Sequence, residues 1–385
     1  MGKKLSHLLL ASLDNPYDPS SWSGTTYNLR LALEQRVERL SILANLKPRR
    51  NPPDVVLRIL LGGKPPRYPL YLTAAAQREF ARRTAAAIRE LKPDALLTIS
   101  SHCIVRLDPP DIPVFMVTDA PWLAWKETYG EFERMPLLGP KFARLEATAA
   151  KRCTGLIFSS KWATKEAERL YAVSPEKLHV QALGANWTPD MSGEDLTAII
   201  DRRPDDRLDL LFVGKDWERK GGPLAVEIAS GLSAAGVRNV TLHIVGCTPE
   251  VPASAREVVK VHGLLRRAVP DEAAQLRQLF LESHLLVVPT QAECFGVVFA
   301  EAQAFGLPPV SRAVQAVPSI IVDGQTGFLE PINAPAEAYV QRIKKLMESR
   351  TGYRQMAHAA RKRFEAELSW ERFAEGTARL IEGSL

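Results

Sequence analysis

The sequence predicts an α/β protein of two domains, each a parallel sheet with helices on both faces. Three observations carry this expectation. Short apolar runs alternate with longer helix-compatible stretches from Leu8 onward. The alternation breaks at a polar run, 184–206, and restarts at Leu208. The stretch 285–311, LLVVPTQAECFGVVFAEAQAFGLPPVS, reads in turn as buried strand, loop and helix.

In the first half, 8–13 is a strand, 14–24 a polar loop and 25–44 a helix with Leu29, Leu31, Leu33 and Val37 as its apolar stripe. Ser23, Gly24 and Thr25 then sit at a helix N-terminus just past a strand. They form either an ordinary Ser cap with a flexible Gly or a set of N–H donors for phosphate. Residues 47–69 carry Lys47, Arg49, Arg50, Arg58, Lys64 and Arg67 around an apolar insert, 55–61. Such a segment suits an acidic acceptor, a membrane surface or plain solvation. Helix 74–91, strands 95–100, 113–118 and 156–159, helix 161–171 and strand 178–182 complete this half. His102 and Asp119 follow strands ending at Ser100 and Thr118, at the carboxyl edges where parallel sheets gather ligands. As lone residues, each is open to a structural or a catalytic reading.

The second half runs through strand 208–213, helix 223–235, strands 240–245 and 258–261, and helix 271–283 to the stretch at 285. There, strand 285–288 leads to a helix from Val297 that Gly306 and Pro308 stop. Glu293 falls in the loop and Glu301 inside the helix. Between them Cys294, Phe295, Gly296 and Val297 leave backbone N–H groups at the positive helix end, where phosphate is stabilised. A carboxylate accepts two hydroxyls at once, which suits a ribose diol at Glu301 and sugar hydroxyls at Glu293. A solvated helix face with a Glu in each register is the alternative.

Upstream, GKDWERKGG at 214–222 sets Lys215, Arg219 and Lys220 at the carboxyl end of a buried strand. Arg grips a diphosphate through two parallel N–H bonds and Lys adds a compact charge, although a basic surface loop has the same composition. GxxxxGK[ST], GxGxxG and DxD are all absent from the sequence, so Walker-type and dinucleotide-type readings lose support. Neutralising a leaving diphosphate then falls to Arg219 and Lys220 rather than to a metal ion.

A chain of 385 residues with 46% hydrophobic content suits two cores. The net charge of +6 fits an anionic ligand or a phospholipid surface, and no nucleic-acid-binding motif accompanies it. Cys103, Cys153, Cys247 and Cys294 are scattered without CxxC spacing, which indicates neither a disulfide framework nor zinc and points to a reducing, cytoplasmic setting. The N-terminal apolar run is too short for a signal segment, and no run approaches the ~18 residues of a membrane span. Peripheral contact with the inner face of a membrane stays open.

GKDWERKGG, PTQAECFGVVFAEAQAFGLP at 289–308 with its E-x7-E spacing, GAN at 184–186 and DGQTGFL at 323–329 together resemble the GT-B retaining glycosyltransferases of family 4, glycosyl transferases group 1. That family includes sucrose synthases, sucrose-phosphate synthases and bacterial lipid mannosyltransferases. The N-terminal half resembles it loosely, through SGTTYN at 23–28 and VTDAPW at 117–122.

The resemblance implies two Rossmann-like domains facing a cleft, 1–186 for the acceptor and 187–367 for a nucleotide sugar. A terminal helix, 370–381, would cross back so that 368–385 joins the first domain. Arg219 and Lys220 would bind diphosphate and Glu301 ribose. Glu293 with the backbone of Phe295, Gly296, Val297 and Val298 would meet the donor sugar and phosphate. The loop of Gly263, Leu264 and Arg266 would meet the base. Cys294, Lys215 and Gly24 complete the donor-binding set, and Asp119 and His102 join Arg219, Lys220 and Glu293 as catalytic candidates. Two departures stand out: Gln315 and Ala316 replace a usual Gly-Gly pair, and Thr118 and Asp119 occupy the strand end where relatives often place a His. The implied activity moves a sugar from a nucleotide diphosphate sugar, UDP favoured and GDP open, to a hydroxyl of a small-molecule, glycan or lipid acceptor, with retention and with no metal or cofactor. A nucleotide-sugar epimerase or hydrolase and a non-catalytic nucleotide-sugar-binding subunit are the rival readings.

Overall fold

A computed structural model describes residues 4–46, 71, 73–129 and 138–385. The basic stretch 47–69 lies outside the described residues. The chain divides into two compact units, Met1–Gly184 with Trp370–Leu385, and Ala185–Ser369.

The first unit holds a six-stranded parallel sheet in the order β2-β1-β3-β4-β5-β6. Its strands are β1 (His7–Ala11), β2 (Arg39–Leu43), β3 (Ala95–Thr98), β4 (Val114–Thr118), β5 (Gly155–Phe158) and β6 (Leu178–Val180). The central strands are buried apolar runs, as a sheet covered on both faces requires. Around them pack α1 (Thr25–Arg36), α2 (Ala74–Leu91), α3 (Trp122–Tyr129), α4 (Leu138–Arg152) and α5 (Lys161–Tyr171).

The helix expected over 25–44 is corrected to a helix and a strand. α1 stops at Arg36, and Val37 turns extended at φ −111°, ψ 153°. Helical spacing ends with Leu29, Leu33 and Val37, which are buried, whereas Leu31 is only half-buried. Beyond them Leu40 and Ile42 pair in parallel with Leu8 and Leu10 of β1, so the short helix closes a βαβ unit. The Ser-cap alternative is overturned as well. Gly24, at φ 93°, is the N-cap in place of a serine, and it offers no side-chain cap to α1. Trp22 and Ser23 before it are also left-handed, at φ 44° and 57°.

The second unit repeats the architecture with strand order β12-β11-β10-β7-β8-β9. Its strands are β7 (Leu208–Val213), β8 (Val240–Val245), β9 (Val259–Gly263), β10 (Leu285–Val287), β11 (Pro309–Arg312) and β12 (Phe328–Glu330). Its helices are α6 (Gly193–Arg202), α7 (Gly222–Ala234), α8 (Pro270–Glu282), α9 (Val297–Ala304), α10 (Val317–Ile320), α11 (Ala336–Met347) and α12 (Arg350–Glu367). The last helix, α13 (Trp370–Glu382), belongs to the first unit and packs on α1. Among the described residues no helix is long and apolar enough to cross a membrane.

Candidate functional site

In an open parallel sheet the strand order reverses at one point, and the loops leaving the two strands there splay apart to leave a crevice at their carboxyl ends. In the second unit that point lies between β7 and β10. The loops that leave these strands are 214–221 and 288–296, the two stretches the sequence singled out. They are tied to each other: Gln291 N–H donates to Arg219 O at 2.8 Å, and Gln291 Nε2 to Glu218 O at 3.2 Å. Gly221, at φ 76°, lies so close that a Cβ there would sit 2.1 Å from Pro289 O. Only glycine allows this approach.

The structure brings Arg219, Lys220 and Glu293 together. Lys220 Nζ donates to Glu293 Oε2, and Arg219 NH1 lies 3.6 Å from the same oxygen. Arg219 also donates to Asp216 Oδ2 at 3.0 Å and to Ala292 O at 2.9 Å, which orients its guanidinium. The Glu293 side chain is 8% exposed, so its charge partners, not water, neutralise it. Lys215 stands exposed in the same loop without a hydrogen bond or ion pair among the described residues.

Gly296, at φ 89°, is the N-cap of α9, with no side-chain cap and no acidic residue in the first turn. The first-turn N–H groups near Val297 and Val298 therefore end a helix whose positive pole meets no carboxylate of its own. The side chains of Cys294 and Phe295 are buried, which leaves only their backbone for a ligand. Behind this loop Gln315 takes a left-handed conformation at φ 36° and accepts the Glu293 N–H at 3.2 Å. The chain thus keeps a backbone shape that glycine adopts freely, and uses the added side chain to brace Glu293.

Glu301 lies one turn into α9, buried, in a two-pronged pair with Arg267: NH1 to Oε1 and NH2 to Oε2, both at 2.7 Å. The guanidinium carbon stands 5.1 Å from the centre of the Trp187 ring. Burial works against the Arg267 charge, but Glu301 more than offsets it and holds its pKa above the ordinary value. Sequence reasoning missed Arg267. Its neighbour Arg266, in the expected base loop with Gly263 and Leu264, is turned instead to Glu272. Leu264 is 54% exposed.

The remaining candidates belong to the first unit. Its sheet reverses order between β1 and β3, so the loop ending at Gly24 and the turn Ser101–Cys103 both leave that reversal point. His102 is 4% exposed, packed against Tyr71 with ring centres 4.8 Å apart and against Phe142 at 5.3 Å. Its Nδ1 is buried without a hydrogen-bond partner among the described residues, and burial pushes its pKa down to about 4. A neutral imidazole in an aromatic cage follows. Asp119 caps its own turn through Ala120 N–H at 2.9 Å. Nearby Glu146 on α4 accepts the Trp122 N–H at 2.8 Å. Burial first, with Asp119 adding to it against the Trp122 N–H, raises Glu146 to about 7.

Residues 198–363 match the family model described as Glycosyl transferases group 1. The second unit belongs to the group 1 glycosyl transferases. Similar curated proteins include the alpha-maltose-1-phosphate synthase of Mycolicibacterium smegmatis, 27% identical over 60% of this chain and 64% of that protein. The D-inositol 3-phosphate glycosyltransferase of Geodermatophilus obscurus is 30% identical over 44% and 38%. The match thus spans less than two thirds of either relative.

The fold of the whole chain is GT-B. Sucrose-phosphate synthase from Thermosynechococcus elongatus superposes with a TM-score of 0.67 at 17% identity, over 98% of both chains. WaaG, a glycosyltransferase involved in lipopolysaccharide biosynthesis, gives 0.62 at 15% identity over 97% of this chain and 100% of its own. Anabaena Alr3699/HepE in complex with UDP gives 0.64 at 14% identity over 98% and 100%.

Proposed function

We propose that the protein transfers a sugar from a nucleotide diphosphate sugar, with UDP-sugars favoured, to an acceptor hydroxyl, retaining the anomeric configuration and needing neither metal nor cofactor. The observation that carries this reading is the junction of the two loops at the β7/β10 reversal, where Arg219 and Lys220 meet Glu293 beside the uncapped start of α9. Cations and helix N–H groups converging on one place suit a diphosphate. HepE has been solved with UDP and with UDP-glucose, which supports the same donor class here.

In this reading Arg219 and Lys220 hold the diphosphate, with Lys215 and the first-turn amides of α9 closing around it. Glu301 accepts the ribose hydroxyls on the lone pairs that Arg267 leaves open. Glu293 accepts hydroxyls of the donor sugar. The reaction is front-face: the bond from the anomeric carbon to the diphosphate oxygen breaks as the acceptor oxygen attacks from the same side. The acceptor proton passes to the departing diphosphate. The protein contributes position and charge stabilisation rather than a covalent intermediate. Asp119, His102 and the Gly24 turn, all in the first unit, are the candidates for acceptor recognition, and the names of both curated relatives include a phosphorylated sugar or polyol, which supports a small-molecule acceptor. A cytoplasmic setting with peripheral membrane contact fits a lipid-linked one equally.

The test is product analysis with UDP-, GDP- and ADP-glucose, with and without EDTA and a panel of sugar, polyol and lipid acceptors. Glycosylated acceptor with the donor's anomeric configuration is expected, undiminished by EDTA. Donor consumption that needs no acceptor indicates the epimerase or hydrolase reading, and binding without turnover the binding-subunit reading.

A further inference from the structure

The second unit carries a second basic concavity, away from the loops just described. A cavity of about 240 Å³ opens where Leu208 begins β7 and Val237 precedes β8. The Lys220 loop leaves the other end of β7. Six residues of strand at ~3.3 Å each separate the two places by about 20 Å. Six cations and only two carboxylates, Asp205 and Glu348, line the cavity. They come from three separate segments, 203–207, 236–238 and 344–354, so the fold gathers them and no local run explains them.

Their partners leave most of this charge uncompensated. Arg203 is 4% exposed and forms the floor. It donates to the carbonyls of Leu281, Phe305 and Gly306 and to the Tyr353 hydroxyl, which occupies four of its five N–H groups without neutralising the guanidinium. Lys344 donates to Ala235 O at 3.0 Å and Arg354 to Asp201 O, again neutral acceptors. Arg350 pairs with Asp205 at 2.6 Å, and Arg207 turns to Asp209 at 2.7 Å. Arg238 has no hydrogen bond or ion pair among the described residues. Arg350 is moreover the first residue of α12, whose opening turn holds no acidic residue. Like charges gathered around a concavity repel one another and raise the local potential for anions.

From this we infer that the cavity binds a phosphate monoester, at a site separate from the donor site. Arginine forks match the oxygens of a phosphate group in geometry as well as charge. The volume falls below the ~300 Å³ at which pockets for drug-sized molecules begin, so a small phosphorylated molecule fits where a whole nucleotide sugar does not. The phosphate is carried either by a free sugar phosphate or by the headgroup of an anionic phospholipid.

The experiment is calorimetric titration of the full chain with inorganic phosphate and with glucose 1-phosphate, in the presence of saturating UDP. Wild type is compared with Lys220→Ala and with Arg238→Gln and Arg354→Gln, all checked for native circular dichroism. In parallel, vesicles of phosphatidylcholine with and without phosphatidic acid are sedimented with each protein. Saturable binding that survives UDP and Lys220→Ala and weakens at least tenfold in both arginine variants is expected. If only phosphatidic-acid vesicles bind, with the same dependence on Arg238 and Arg354, the lipid headgroup is the source. No saturable binding of any probe, or binding lost with Lys220 and indifferent to the two arginines, overturns the inference.

Discussion

At the scale of single residues the account rests on Lys220, Glu293 and Glu301. Removing Lys220 takes away the cation nearest Glu293 and, in the proposed reaction, one of two that neutralise the leaving diphosphate. Lys220→Ala is expected to lower kcat by 10²–10³, about 2.7–4 kcal/mol, as loss of one transition-state donor does. Steady-state kinetics at saturating donor measure it. Arg267 acts through Glu301: it fixes the carboxylate without being required at the reacting carbon. Arg267→Gln is therefore expected to raise the donor KM about tenfold, ~1.4 kcal/mol, with kcat close to wild type. Arg267→Lys does not restore it, because an ammonium cannot make both 2.7 Å bonds. Lys220 and Glu293 were legible because strand, loop and helix signals bracket them. Arg267 was not, because nothing local distinguishes it from Arg266; only the folded chain shows that Arg266 meets Glu272 while Arg267 reaches Glu301, 34 residues on. Gln315 was visible as a departure, but not that its side chain would brace the Glu293 N–H.

At the scale of elements, alternation of apolar runs located most strands, since buried parallel strands are short and nearly uniform in hydrophobicity. It failed at 37–43, where helix and strand follow each other with one bend between them. There, pairing with β1 decided the conformation, and pairing is a long-range property. The turns packed against the first sheet also set a pH dependence. His102 falls from 6.5 to about 4 because it is buried, so the unfolded chain binds its proton first on acidification. Its contribution, on the order of 3 kcal/mol, is complete above pH 6.5 and is lost as pH falls toward 4. Glu146 rises from 4.5 to about 7, chiefly by burial, so its contribution is complete below pH 4.5 and is lost as pH rises toward 7. The two oppose each other in wild type. Glu146→Gln removes the opposing contribution, and thermal melts between pH 4.5 and 6.5 should show Tm climbing more steeply with pH than in wild type. Parallel curves would refute the assignment.

At the scale of the whole molecule, two sheets built on the same rule place the candidate loops at their reversal points. The second has the order of the dinucleotide-binding fold, counted from β7 outward, without that fold's glycine fingerprint. Handedness and short connections narrow such orders from sequence, but only hydrogen-bonded pairing fixes them. The terminal helix ties the ends of the chain together: Trp370, Phe373 and Ile381 of α13 are buried in the first unit. Ending the chain at Ser369 is expected to open α1 and its neighbours to trypsin while peptides of 185–369 stay protected, as limited proteolysis with mass spectrometry would read.

The most direct test of the central claim is calorimetric titration of UDP, in EDTA, into wild type, Lys220→Ala and Glu301→Gln. One saturable site is predicted in wild type, at least tenfold weaker in each variant, with all three proteins melting cooperatively. Equal affinity in all three, or binding that appears only when a divalent metal is restored, would contradict it.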